Sequence, residues 1–167
     1  HIMKLYGARG FERFVLCLGY KAWALKQYFL RYHEMRRDFT VTMKGDPPAV
    51  AFHNQAGEED WRVTCAETGA DSGTGGRLKL VERYVDADTF CFTYGDAVGT
   101  VDLDALLAFH RSHGKIATVT GVHPTSRYGE MKVVDGHVVE FNEKPTVADG
   151  VVSGGFFVFN RGVFDYL

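Results

Sequence analysis

Several features that would assign this chain quickly are missing from it. No apolar run approaches the roughly 18 residues of a membrane span, and no signal-peptide hydrophobic region is visible. A cytoplasmic location and no membrane partner are expected on that basis. Positive charge is not in excess either: 19 Lys and Arg face 21 Asp and Glu, for a net charge of −2. That balance gives nonspecific nucleic-acid binding no footing, so no nucleic-acid partner is expected. Paired cysteines are absent, since Cys17, Cys65 and Cys91 are odd in number and each lies in an apolar, strand-like run. A disulfide framework or a zinc site needs an even count or close pairs, so these cysteines read as small reduced hydrophobes. No internal repeat or low-complexity tract appears.

What is present suits a packed interior. The chain has 167 residues, 46% of them hydrophobic, with 13 Phe and 8 Tyr, enough for one domain or most of one. Strand and helix signals alternate. "HIMKLYGARG" reads as a short helix stopped by Gly10, and "RFVLCLG" as a buried strand. Residues 20–33 carry Ala22, Leu25, Phe29 and Tyr32 as a helical stripe. "DFTVTM" alternates like a half-buried strand, and residues 44–60 read as a loop or irregular hairpin. "WRVTCAE" and "TFCFTYGD" are strands, whereas "RLKLVERYV" puts Leu78, Val81 and Val85 on one helical face. Residues 102–113 form a helix with Asp102 as cap, Asp104 in the first turn and Gly114 as stop. "KIATVTGV" is a further strand, "GEMKVVDGHVVEFNEKP" a hairpin turning at Asp135-Gly136, and "GGFFVFN" a last buried strand. Trp23 and Trp61 are expected in the core.

This order predicts an α/β sandwich around a mainly parallel sheet with a late antiparallel addition. In such sheets ligands bind beyond the carboxyl ends of the strands, which directs attention to Gly19, Ala66, Gly95-Asp96 and Lys144. Asp96 ends a strand where a carboxylate can hold Mg²⁺ over a phosphate, or where it can simply serve a turn. Lys144, between Glu143 and Pro145, is stiffened by the proline; it suits a phosphate monoester, or it is a solvated turn lysine. "ETGADSGTGGRLK", residues 67–79, lies between a strand and a helix, where backbone N–H groups can approach an anion or a base edge. Its spacing matches neither G-x-x-x-x-G-K-[ST] nor G-x-G-x-x-G, and a flexible loop is the other reading. His110 and His113 occupy the last turn of a helix, where a structural role outweighs metal binding. The "DLD" of residues 102–104 reads as helix capping.

Taken together, "WRVTCAETGADSGTGGRLK", "FTYGDAVGTVDLDALLAFH", "FNEKP" and "SGGFFVFN" resemble the sugar nucleotidyltransferases, and within them the glucose-1-phosphate cytidylyltransferase family. The resemblance runs from His1 to Leu167. It implies a Rossmann-like three-layer α/β sandwich with a mostly parallel mixed sheet, transferring CMP from CTP to α-D-glucose 1-phosphate to give CDP-glucose and pyrophosphate. By that resemblance Asp96 binds Mg²⁺, and Asp96, Lys144 and Arg77 are catalytic. Ser72, Thr74, Gly75, Gly76, Arg77 and Gly95 face the nucleotide, while Lys144, Ser153, Gly154 and Gly155 hold the sugar phosphate. The family pattern has Asn where this chain has Ser153. Full-length relatives are expected to be homo-oligomeric and to serve nucleotide-sugar synthesis for bacterial surface polysaccharides. The family's Gly-Gly-x-Gly-Thr-Arg loop and second metal-binding Asp are not found in these residues. Residues 1–167 are therefore expected to be an incomplete nucleotidyltransferase domain, cut at both ends and inactive alone. Two alternatives stay open: another sugar-1-phosphate nucleotidyltransferase, such as a thymidylyltransferase, or a noncatalytic interaction domain of the same fold.

Overall fold

The computed structural model describes residues 1–54, 59–96, 98–124, 130–142 and 150–167. The chain divides into two compact units, His1–Asp86 with Phe164–Leu167, and Ala87–Val163.

In the first unit, helix α1 (Ile2–Gly7) buries Tyr6, and Gly10 at φ 81° turns the chain into strand β1 (Arg13–Leu18). Helices α2 (Ala22–Leu30) and α3 (Tyr32–Met35) follow, divided at Arg31, where one continuous helix was expected. No residue of α2 is fully buried, and Trp23 is 67% exposed, which corrects its expected core position. Strands β2 (Asp38–Thr42) and β3 (Ala49–His53) make an antiparallel hairpin whose residues are all exposed. The alternation of "DFTVTM" thus marks a real strand, but not one half-buried: Phe39, Val41, Val50 and Phe52 share one uncovered face. Strand β4 (Arg62–Glu67) runs parallel to β1 in the register Arg13↔Arg62 to Leu18↔Glu67. Helix α4 (Thr74–Leu80) passes into a 3-10 turn at Glu82–Tyr84. It therefore starts earlier than expected, taking Gly75 and Gly76 into its first turn. The apolar core gathers Leu18, Ala66, Leu78, Val81 and Phe164.

In the second unit, strand β5 (Thr89–Thr93) and strand β6 (Ala117–Val122) flank the long strand β9 (Val152–Asn160), which is antiparallel to both. The alternating side chains of β9 separate into two faces. Phe156 and Val158 are buried on one, while Phe157 and Phe159 meet Phe90 and Phe92 on the other, with ring centroids 5.6–5.9 Å apart. Helix α5 (Leu103–His113) has strong local signals at both ends. Asp102 Oδ1 accepts from the N–H groups of Asp104 and Ala105, and Gly114 closes the helix at φ 64°. A cap of this kind stabilises by about 1 kcal/mol. Strands β7 (Glu130–Val134) and β8 (His137–Asn142) form the expected hairpin, with Asp135 and Gly136 at φ 50° and 79°, as a type I′ turn requires.

Five hydrogen bonds at the end of α5 close into a ring. Lys115 N–H donates to His113 Nδ1, so the proton of that imidazole sits on Nε2 and is donated to Thr118 Oγ1 at 2.7 Å. The Thr118 hydroxyl then donates to His110 Nδ1 at 2.7 Å, His110 Nε2–H to Asn160 Oδ1 at 3.0 Å, and Asn160 Nδ2 to Lys115 O at 3.1 Å. His110 and Thr118 are buried. The histidine pair expected to be structural is thus bound into the packing of α5 on β6 and β9, with its nitrogens given to Thr118, Asn160 and Lys115.

Candidate functional site

At the carboxyl edge of the first unit, the ends of β1 and β4 are fastened together by Thr68. Its N–H and its hydroxyl both donate to Leu18 O, each at 2.8 Å, and the residue is buried. Arg77, from α4, reaches back over this point. Its Nη1 donates to Thr68 Oγ1 at 2.8 Å and its Nη2 to Ala70 O at 2.9 Å. The Ser72 hydroxyl donates to Thr68 O. Gly19 is obligatory beside them: a Cβ there would lie 2.5 Å from Arg77 Nη1 and 2.7 Å from Gly69 O.

The stretch from residue 68 to 73 is consequently a pinned turn, with Gly69 at φ 83°. Of the nucleotide-facing candidates, Ser72 and Arg77 are drawn into this knot. Thr74 and Gly76 are exposed at the start of α4, and Gly75 packs near Leu167. Gly19 stands where the strand order directs attention, whereas Thr68 is not singled out in the sequence. Burial pushes the Cys17 thiol up, with the neighbouring Arg77 opposing.

In the second unit β5 delivers Gly95 and Asp96 to an exposed turn. The neighbouring strand brings Ser153, Gly154 and Gly155 alongside, because Tyr94 N–H donates to Gly155 O at 3.2 Å just past the last register pair, Thr93↔Phe156. Gly155 is buried at φ 79°, a conformation that costs any residue with a Cβ. The Ser153 hydroxyl accepts from Gly155 N–H at 3.3 Å. Beside these residues is a cleft of about 500 Å³, lined by residues 98–102, by Thr120 and Val122 of β6, and by Gly154 and Phe156 of β9. Lys144 lies outside the described residues.

Among the described residues no three His, Cys, Asp or Glu side chains cluster to cage a metal. Asp96 fits Mg²⁺ nonetheless. It is a hard oxygen donor in the open at a strand end, and Mg²⁺ is commonly held by one or two carboxylates together with substrate phosphates and water. Also among the described residues, no helix is long and apolar enough to cross a membrane.

An α/β chain with its candidate groups at the carboxyl ends of its strands has the layout of a nucleotide-handling enzyme. The nucleotidyl transferase family model matches residues 24–167, and the chain belongs to that family. Its fold is the Rossmann-like α/β fold of the sugar nucleotidyltransferases. It is similar to HddC from Yersinia pseudotuberculosis, whose solved structure superposes with a TM-score of 0.56 at 20% identity over 99% of this chain and 63% of that one. Among curated relatives, it is 42% identical to the glucose-1-phosphate cytidylyltransferase of Salmonella typhi. It is 41% identical to the probable glucose-1-phosphate cytidylyltransferase of Bacillus subtilis. Each match takes in 100% of this chain and 64% of the relative, so the chain spans about two thirds of their length.

Proposed function

We propose that this chain supplies the nucleotide-facing loop and the acceptor-sugar wall of an enzyme that transfers CMP from CTP to α-D-glucose 1-phosphate. The observation that carries this reading is the 41–42% identity, over the whole chain, to relatives named for that reaction.

A sugar phosphate monoester is largely dianionic at neutral pH, its second pKa being about 6. Its oxygen attacks the α-phosphorus of CTP, a new P–O bond forms, and the bond to the β-phosphate oxygen breaks to release pyrophosphate. No proton has to be removed from the nucleophile, so no general base is required. The protein's work is to hold two anions in line. Bound Mg²⁺ would neutralise phosphate charge, and Asp96 is the residue that would hold it. Arg77 contributes by fixing residues 68–73 as the wall against the nucleotide, because Thr68 and Ala70 take its two terminal nitrogens. Lys144 meets the sugar phosphate, and Gly154 and Gly155 keep the sugar side open.

Pyrophosphate release from CTP, glucose 1-phosphate and Mg²⁺, with equilibrium binding of each substrate, tests the proposal. Residues 1–167 should bind glucose 1-phosphate and prefer CTP to dTTP, without sustained turnover. Asp96→Ala should remove the Mg²⁺ dependence of CTP binding. A preference for dTTP would move the assignment to a thymidylyltransferase. Failure to bind any sugar phosphate or nucleotide would leave an interaction domain of the same fold.

A further inference from the structure

The cleft of the second unit holds one feature that the fold does not account for. Thr118 and Thr120 lie two residues apart on β6 and so face the same side of the sheet. The Thr118 hydroxyl is bonded to two imidazoles, whereas Thr120 Oγ1 is buried with no hydrogen-bond partner among the described residues. Buried hydroxyls are nearly always paired, and an unpaired one calls for an explanation. The pairing of β6 with β9 also shifts register between Val119 and Gly121, at Thr120. Across from it, a Cβ on Gly154 would come within 2.9 Å of Val122 Cγ1 and 3.2 Å of Thr120 O. Any larger residue would crowd the space next to Thr120.

The lining fixes the chemistry of what enters. Phe156 forms a buried floor, and Val98 and Val122 are open apolar walls, 77% and 40% exposed. Among the described residues no Lys or Arg lines the cleft, and Asp102, whose Oδ1 already caps α5, is the charged one. These walls give an anion no counter-charge. An uncharged ring with C–H faces for the valines and hydroxyls at its edge fits.

We propose that Thr120 is a specificity-determining residue whose hydroxyl pairs with a ring hydroxyl of the acceptor sugar. This rests on the reading of the chain as acting on a sugar 1-phosphate. It predicts an opposed pair of effects. Thr120→Val keeps the shape and removes an unsatisfied group, so it should raise the melting temperature of the free chain by about 2 °C. The same change should weaken glucose 1-phosphate binding about tenfold, and Thr120→Ser should bind within about threefold of the native chain. In a series of monodeoxy glucose 1-phosphates, one analogue should bind the native chain about tenfold more weakly. That analogue should lose nothing further with Thr120→Val.

Titration calorimetry and thermal melts on residues 1–167 supply both readouts. Equal binding of glucose 1-phosphate by native and Val chains overturns the proposal, as does a deoxy series with no analogue coupled to Thr120. If Val destabilises the free chain, the hydroxyl is structural and the proposal is likewise lost. Absence of glucose 1-phosphate binding by the native chain rejects the underlying reading itself, a result distinct from the other three.

Discussion

Replacing Thr118 by Val removes a single hydroxyl from the ring at the end of α5 while nearly keeping the side-chain shape. Two hydrogen bonds disappear, the one given to His110 Nδ1 and the one taken from His113 Nε2, both 2.7 Å long. The losses are unequal. His113 is half-buried and water can serve its freed N–H, but His110 is 2% exposed and its Nδ1 is left stranded. A buried polar group without a partner costs about 1–3 kcal/mol, against about 0.5–1 for a bond that water can replace. The added methyl recovers about 0.8 kcal/mol at most. The net expectation is a loss of about 2 kcal/mol, read by urea denaturation followed by far-ultraviolet circular dichroism. His110→Leu should also destabilise, yet the double variant should fall short of the summed losses by about 1 kcal/mol, because both partners are then apolar. A Thr118→Val loss below about 0.5 kcal/mol, or strict additivity in the cycle, would refute the ring as a stabilising unit.

Two other expectations concern the first unit's knot and the thiols. Gly19→Ala forces a methyl against Arg77 and the backbone of Gly69 and should cost about 1–3 kcal/mol; a thermal melt unchanged from the native one would show that the knot yields freely. Burial raises the Cys91 thiol to about 11 from 9.0, with Arg111 opposing. The folded chain therefore keeps this proton where the unfolded chain releases it, so the contribution is complete below pH 9.0 and is lost as pH rises towards about 11. Stability should fall more steeply over that window in the native chain than in Cys91→Ala, and parallel slopes would contradict the shift.

The elements readable from sequence are those whose determinants are local. Asp102 and Gly114 bracket α5 because each acts on its own helix end, and Asp135-Gly136 defines its turn without help from elsewhere. The strands β1 and β4 are legible as apolar runs. Less accessible was anything decided by a distant partner. The stripe through Ala22, Leu25 and Phe29 identifies a helix face but not what covers it, which is why Trp23 was misplaced. Gly75 and Gly76 suggested a loop, yet α4 begins at Thr74 with its later side chains Leu78 and Val81 buried. Tertiary packing outweighs weak propensity there. Arg77 was visible as a functional candidate, but its hold on Thr68 and Ala70 depends on the parallel pairing of β1 with β4. Nothing in the pattern of β6 distinguishes Thr118, whose hydroxyl is paired twice, from Thr120, whose hydroxyl has no partner among the described residues.

The ring that starts and finishes at Lys115 also acts as a register lock. Its members come from α5, β6, β9 and the turn between α5 and β6, so sliding either strand by one residue would turn Thr118 or Asn160 to the opposite face and open the circuit. Rotating α5 by one residue would withdraw both imidazoles together. The same two strands carry Thr120 and Gly154 farther along, next to the cleft. The circuit thereby ties β6 to β9 and α5 up to the point where the strand register shifts, and the cleft begins just beyond it.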